Sequence, residues 1–202
     1  MGRTSDAKQR LIEAMHDLIW LGSYGSTSVD QICKLAGVKK GSFYHFFESK
    51  TDLAIAVLEE ASAQIFATLD RIYSPTVPPL ERIRQEAKWG YEHQRVIAEK
   101  FGRVLGCPLF SLGAEVGTRE EKLIEKIKEI LDQHLRYYES ALLEAQHQQL
   151  ITVTPVAPIA RRLLAYAEGM LTQARIHNDL SYIAEIEQGF MAMLDLLARQ
   201  RA

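Results

Sequence analysis

The sequence predicts an all-α chain, and three observations carry that prediction. Apolar residues recur at three- and four-residue spacing along almost all of its 202 residues. No stretch alternates apolar and polar residues for long enough to make a strand, and there is no internal repeat. Clusters of Gly, Pro and Ser interrupt the pattern at helix-length intervals. The composition, 47% hydrophobic and 25% charged, is that of a soluble globular protein long enough to bury a core without staples. No segment approaches the roughly 18 uncharged apolar residues of a membrane span. The N-terminal "MGRTSDAKQR" has no apolar stretch of the kind a secretory signal carries. With only Cys33 and Cys107, no structural disulfide is expected, and a reducing cytoplasm is.

The elements follow in order. Leu11, Met15, Leu18 and Ile19 define a first helix from about Ser5 to Leu21, which ends in the breaker cluster "GSYGSTS". Ser28 with Gln31 three residues on has the form of a capping box and opens a short helix from Val29 to Leu35. A tight turn, "AGVKKG", leads into a third short helix from Lys40 or Gly41 to Phe47. Ser49 then caps a long fourth helix, with Asp52 in its first turn where the helix dipole favours an acid. This helix, 49–71, links two expected domains, 1–50 and 51–202.

"YSPTVPPL", Tyr73 to Leu80, holds three of the six prolines and breaks the chain. Helix resumes near Pro79. The Gly-rich segment Leu105 to Gly117 predicts a short or distorted helix. Thr118 with Glu121 forms a second capping box and opens a helix of about thirty residues. "TVTPVAP" stops it, and two last helices are expected at about Ala157–Ile176 and Tyr182–Arg201.

Three short N-terminal helices, the second and third joined by a turn containing Gly37, describe a helix-turn-helix. In such a pair the second helix is the one that enters a DNA major groove. That helix carries the densest aromatic run in the chain, "KKGSFYHFFESK". At 100° per residue Phe43, Phe46 and Phe47 fall on one face and suit a core. Gly41, Ser42 and His45 fall on the other, with Tyr44 at the edge and Lys39 and Lys40 at the helix start. Small and polar groups there can approach bases and bond phosphates. Residues 1–50 carry a net charge of +2 and residues 51–202 a net −4, an asymmetry that permits a nucleic-acid surface on the N-terminal part.

The ordered pattern "STSVDQICKLAGVKKGSFYHFFESKTDL", Ser26 to Leu53, within a stretch from about Lys8 to Leu58, resembles the TetR (tetracycline-repressor) family of transcriptional regulators. The resemblance implies a homodimer with an N-terminal DNA-binding head and a larger helical domain for ligand binding and dimerisation. It implies a double-stranded, palindromic operator and a small-molecule effector that releases DNA. By position, Thr27, Ser28, Lys39, Lys40, Ser42, Tyr44, His45 and Lys50 match the family's usual DNA-facing residues. One departure is Ser23, which stands where the family often has Gly before an aromatic; Gly22 is expected to take the left-handed cap one residue early. The segment Gly106 to Leu123 looks like one found in a subset of these regulators, some of which sense electrophiles or oxidants through a cysteine near this point.

That makes Cys107 the sharpest single residue of the second domain, set against the alternative of a small buried hydrophobe. Arg103 could activate it if a helix continues through Gly106. Trp89, Phe101, Phe110, Tyr137, Tyr138, Tyr166 and Met170 are candidates to line an effector cavity, with His134, Arg175 and His177 able to orient a polar group. For dimerisation, Ile186, Phe190, Met193 and Leu197 continue a narrow seam begun at Ile183, and Leu163 and Ala167 offer a matching face; burial inside one subunit is the competing reading. No catalytic residue, metal site or cofactor is expected. Glu13 with His16 and Glu144 with His147 have the Glu-x-x-His spacing of di-iron bundles, but the first pair lies in the DNA-binding head and the second in a polar run. The sequence therefore points to a ligand-responsive DNA-binding regulator. An electrophile sensor acting through Cys107 and a helical protein-interaction module are the alternatives.

Overall fold

A computed structural model describes residues 2–117, 120–152 and 155–199, with side chains from Asp6 to Asp195 within them. The described residues contain ten helices and no strand: α1 Gly2–Leu21, α2 Val29–Ala36, α3 Lys40–Phe46, α4 Lys50–Ile72, α5 Pro79–Phe101, α6 Pro108–Val116, α7 Glu121–His147, α8 Val156–His177, α9 Ser181–Ala184 and α10 Ile186–Arg199. Packing divides the chain into two compact units. One comprises residues 1–64 and 108–130, the other 65–107 and 131–202. Packing thus groups α6 and the start of α7 with the N-terminal helices, beyond the segment 1–50 marked off by sequence. Helices α4 and α7 each run from one unit into the other.

In the first unit α1, α2, α3 and α4 meet around Leu11, Met15, Ile32, Phe43 and Leu53, all without solvent exposure. The local chemistry explains why the chain turns where it does. The Ser28 hydroxyl accepts the Gln31 N–H at 3.2 Å, and the Gln31 side-chain oxygen accepts the Ser28 N–H at 2.7 Å. This reciprocal cap starts α2 and is worth about 1 kcal/mol. Gly37 ends α2 in the left-handed region, at φ 62°. Its N–H reaches Lys34 O at 3.3 Å, and the Val38 N–H reaches Cys33 O at 2.9 Å. This is the Schellman pattern, which satisfies the last carbonyls of the helix. Ser49 caps α4, accepting the Asp52 N–H at 3.1 Å.

In the second unit the core is built on Leu69, Ile83, Tyr138, Leu142, Leu163 and Phe190, with α10 packed against α5 and α8. Pro79 opens α5, where its missing N–H costs nothing. Buried Arg82 donates to Val77 O at 2.7 Å and pairs with Glu144 at 2.6 Å, so the proline-rich turn before α5 is tied to α7. Helix α8 ends at Asn178, left-handed at φ 53°, whose side-chain oxygen accepts the Val104 N–H at 2.9 Å.

Three expectations are corrected. Gly22 is not a left-handed cap: it is not among the described residues of positive φ, and its N–H continues the helical pattern to Leu18 O at 3.1 Å. The expected last helix is two, α9 and α10, joined at Glu185, whose φ of −82° and ψ of −10° make a tightened turn rather than a break. No helix carries Arg103 to Cys107, because α5 stops at Phe101 and both Gly102 (φ 71°) and Gly106 (φ 67°) are left-handed. Thr118, the expected cap of α7, lies outside the described residues.

Replacing Gly37 by Ala places a Cβ in the left-handed region. Urea unfolding should show a loss of about 1 kcal/mol relative to the unsubstituted chain.

Candidate nucleic-acid interface

Helix α3 has only seven residues, too few to persist without tertiary support. That support comes from Phe43 and Phe47, 0% and 6% exposed, whose rings lie 6.0 Å apart. Phe46 is half-buried against the His45 ring. On the other side Lys39, Lys40, Gly41, Tyr44 and His45 are exposed and Ser42 is half-buried. A side chain added at Gly41 would meet nothing within 4 Å, so this side of α3 is open to close approach. Lys40 pairs with Asp30 at 2.9 Å, both exposed. Such a pair contributes little to stability and is readily exchanged for another anion. Lys39 is the α3 N-cap residue without a side-chain capping bond.

The other expected residues have internal partners. Thr27 is buried, and its hydroxyl donates to Ser23 O at 2.8 Å. Ser28 is exposed and engaged in the α2 cap. The Lys50 ammonium donates to Tyr24 O at 2.8 Å and Thr27 O at 3.0 Å and lies 4.0 Å from the Tyr24 ring centroid.

The turn between α1 and α2 is thus gripped through its carbonyls by Lys50. An acid from α6 grips its amides. The Glu115 carboxylate accepts from Ser23 Oγ at 2.5 Å, from Gly25 N at 2.6 Å and from Tyr24 N at 3.0 Å. Burial would raise the Glu115 carboxyl, but these three hydrogen bonds, with Lys50 nearby, outweigh it and hold the group below its ordinary value. Thr51 continues the set, bonded to Tyr24 OH at 3.1 Å and Glu120 at 3.0 Å.

The second unit contains a buried polar cluster. The Glu86 carboxylate accepts from Tyr138 OH at 2.9 Å, from Tyr73 OH, and from His134 Nε2 at 2.6 Å. Burial would lower His134, but the Glu86 charge and hydrogen bond raise it. Burial together with the Glu86 charge holds the Tyr73 and Tyr138 phenols well above their ordinary value. Glu168, 7% exposed, is pushed by burial up to about 7, against a Cys107 hydrogen bond and the His134 charge that both lower it. Two buried oxygens here, Gln94 Oε1 and Glu168 Oε2, have no hydrogen-bond partner among the described residues. Both side chains bond the Gly106–Cys107 segment, Gln94 through Gly106 O at 3.1 Å and Glu168 through the Cys107 side chain.

Of the candidates for an effector cavity, Cys107, Tyr138 and His134 belong to this cluster or touch it. Tyr137 instead bonds Asp70 at 2.5 Å and lines an open surface pocket with Tyr73 and Arg136. Trp89, Phe101, Tyr166 and Met170 are half-buried in the same unit, Trp89 stacked on His93 and Tyr166 against Phe190. Phe110 lies in the first unit. His177 is exposed and stacked on Tyr182. Glu86 and Glu168 went unnoticed in the sequence. The available signal was register: each acid occupies the apolar stripe of its helix, Glu86 between Ile83 and Ala87, Glu168 four residues after Leu164. Glu13 and Glu144, from the two Glu-x-x-His pairs, fall in different units, and among the described residues no group of acids, His and Cys is arranged to hold a metal.

For the expected dimer seam, Leu163, Ile186 and Phe190 are buried inside one chain, at 0%, 5% and 1% exposure, so they have no surface left for a partner. Ala167 and Met193 are half-buried. The Leu197 side chain lies outside the described residues.

A helix-turn-helix of this kind, joined to an all-helical second unit, defines a DNA-binding regulator. Residues 11–57 match the family model described as bacterial regulatory proteins, tetR family, and residues 90–190 match the tetracyclin repressor-like C-terminal domain. The chain belongs to the TetR family of transcriptional regulators. It is 30% identical over 141 residues to the transcriptional regulator AcuR of Cereibacter sphaeroides, covering 69% of this chain and 63% of that protein's length. It is 26% identical over 186 residues to the transcriptional repressor DhaR of Mycobacterium sp., covering 89% and 87%. The crystal structure of a regulatory protein TetR from Rhodobacter sphaeroides superposes with a TM-score of 0.79 at 26% identity, covering 91% of this chain and 96% of that one. No helix among the described residues is long and apolar enough to cross a membrane.

The raised Glu168 makes a pH prediction. Its value rises from 4.5 to about 7 on folding, so between those pH values the folded chain binds more protons than the unfolded one, and stability falls as pH rises through that window. The raised His134 acts in the same direction. Glu168→Gln should flatten the fall, gaining on the order of 2–3 kcal/mol at pH 8 relative to pH 5, read from urea unfolding at the two pH values.

Proposed function

We propose that the chain is a ligand-responsive repressor that binds a palindromic operator as a homodimer, with the exposed side of α3 as its reading surface. The observation that carries this is the division of α3: Phe43 and Phe47 are buried, while Lys39, Lys40, Gly41, Tyr44 and His45 are exposed together. Lys39 and Lys40 bond phosphates, and Ser42, Tyr44 and His45 lie where base edges pass. Thr27, Ser28 and Lys50 act one step back, by shaping the turn that presents the pair of helices. Two heads then span half-sites about one helical turn (~34–36 Å) or a multiple apart.

The effector binds in the second unit. Gln94 Oε1 supports a ligand that brings a hydrogen-bond donor, and Glu168 Oε2, on an acid that titrates at about 7, accepts when ionised and donates when protonated; each buried orphan costs roughly 1–3 kcal/mol. Ligand releases DNA by population shift, and only if it binds the low-affinity geometry more tightly than the DNA-bound one. A second reading, covalent sensing at Cys107, is favoured by the bond from that thiol to Glu168: modifying the sulfur would change the environment of a buried acid. A response to N-ethylmaleimide that survives in Cys107→Ser excludes it.

With three expected seam residues already buried, the dimer contact falls to the exposed side of α8. Ala165, Gly169, Thr172 and Ile176 are all exposed there, at spacings of four, three and four, the register of a helix–helix seam.

Two measurements test the reading. Duplexes selected from a random-sequence pool should yield a palindromic site. On that site Lys39→Ala should weaken binding to all sequences alike and reduce the slope of log affinity against log salt by about one; an unchanged slope removes Lys39 from the phosphate contacts. Gly169→Arg, at a position where an added side chain meets nothing within 4 Å of its own chain, should leave the protomer folded, shift sedimentation from dimer to monomer and abolish binding to the full palindrome.

A further inference from the structure

The turn from Gly22 to Ser28 joins α1 to the cap of α2, so its conformation sets how the helix pair leaves the first helix. Opposite charges hold it. The Lys50 ammonium takes two of its carbonyls, at Tyr24 and Thr27, and the Glu115 carboxylate takes two of its amides, at Tyr24 and Gly25, plus the Ser23 hydroxyl. The Ser23 carbonyl in turn accepts the hydroxyls of Ser26 at 3.2 Å and Thr27 at 2.8 Å. A second observation shows that the carboxylate is fitted to this place: a Cβ built on Gly25 would stand 2.8 Å from Glu115 Oε1. With a side chain at position 25 the carboxylate end would have to move from the place it holds here.

We propose that Glu115 is a positioning residue for DNA binding, acting from α6 through the α1–α2 turn without touching DNA. The proposal rests on the DNA-binding reading of the head. Hydrogen bonds to an ionised acceptor are stronger than neutral ones, and three converge on this carboxylate. Released from it, the amides of Tyr24 and Gly25 turn to water, and Ser28, three residues on, loses its fixed approach to the cap of α2. The pair of helices then samples orientations that do not fit the groove, and the fraction competent to bind falls.

The test uses the full-length chain and the duplex that the unsubstituted protein selects from a random pool; failure to select any duplex would count against the DNA-binding reading itself, ahead of this one. Glu115→Ala should weaken affinity about tenfold, the worth of roughly one charge-assisted hydrogen bond. The salt slope should be unchanged, because no phosphate contact is lost. Amide hydrogen exchange at Tyr24 and Gly25 should quicken. Gly25→Ala, which displaces the flexible end of Glu115, should act in the same direction, and the double variant should bind no more weakly than Glu115→Ala alone. Unchanged affinity in Glu115→Ala overturns the proposal. So does tighter binding, which would mean that the acid only repels phosphate, and so do additive losses in the double variant.

Discussion

A helix of seven residues forms too few internal hydrogen bonds to offset the entropy of ordering it, so α3 exists because Phe43 and Phe47 are buried beneath it. Each buried aromatic of this kind removes on the order of 2–3 kcal/mol of apolar surface from water. Ser42 and Phe46 remain half-buried, and Lys39, Gly41, Tyr44 and His45 are left to face outward. The Schellman turn at Gly37 and the capping box at Ser28 fix the ends of the neighbouring helix. Orientation of the outward face therefore follows from two rings and two caps, and every other contact of the head refines it.

The polar contacts of the two units obey different physics. Around the α1–α2 turn, Lys50 and Glu115 bond backbone carbonyls and amides rather than each other, and each stays partly open to water. Such bonds organise a loop at small desolvation cost. In the second unit Glu86 and Glu168 are buried, where an isolated charge is expensive. Glu86 meets that cost with three donors. Glu168 has fewer, and it keeps its proton to about neutral pH. The interior therefore holds one acid that is well satisfied and one that is not, with His134 close to both.

Much of the fold was legible in the sequence because caps are local. Ser28 with Gln31, Gly37, Ser49 with Asp52, and Pro79 each announce a helix end within a few residues, and the helices begin and end there. The failures were non-local. The end of α1 looked as if it needed a left-handed glycine at position 22, yet the turn beyond it is held by Glu115, some ninety residues away. The seam of Ile186 and Phe190 was recognisable as a packing face, but spacing does not say whether the partner helix belongs to the same chain. Glu86 and Glu168 were overlooked because acids are read as surface, although both stand in apolar register. For the reading surface, the split of the aromatic run followed from helix geometry alone. That Lys50 is occupied by two carbonyls did not, because they lie across a turn whose path the sequence does not reveal.

The approach of Glu115 to Gly25 has a consequence for variation rather than for energy. Positions 25 and 115 are not independent choices. Any chain of this architecture that places a side chain at the first must shorten, move or remove the acid at the second, and a chain that gives up the acid releases the first from being glycine. The two positions should drift together, a linked substitution between the first quarter of the sequence and its middle that neither segment, considered by itself, would suggest.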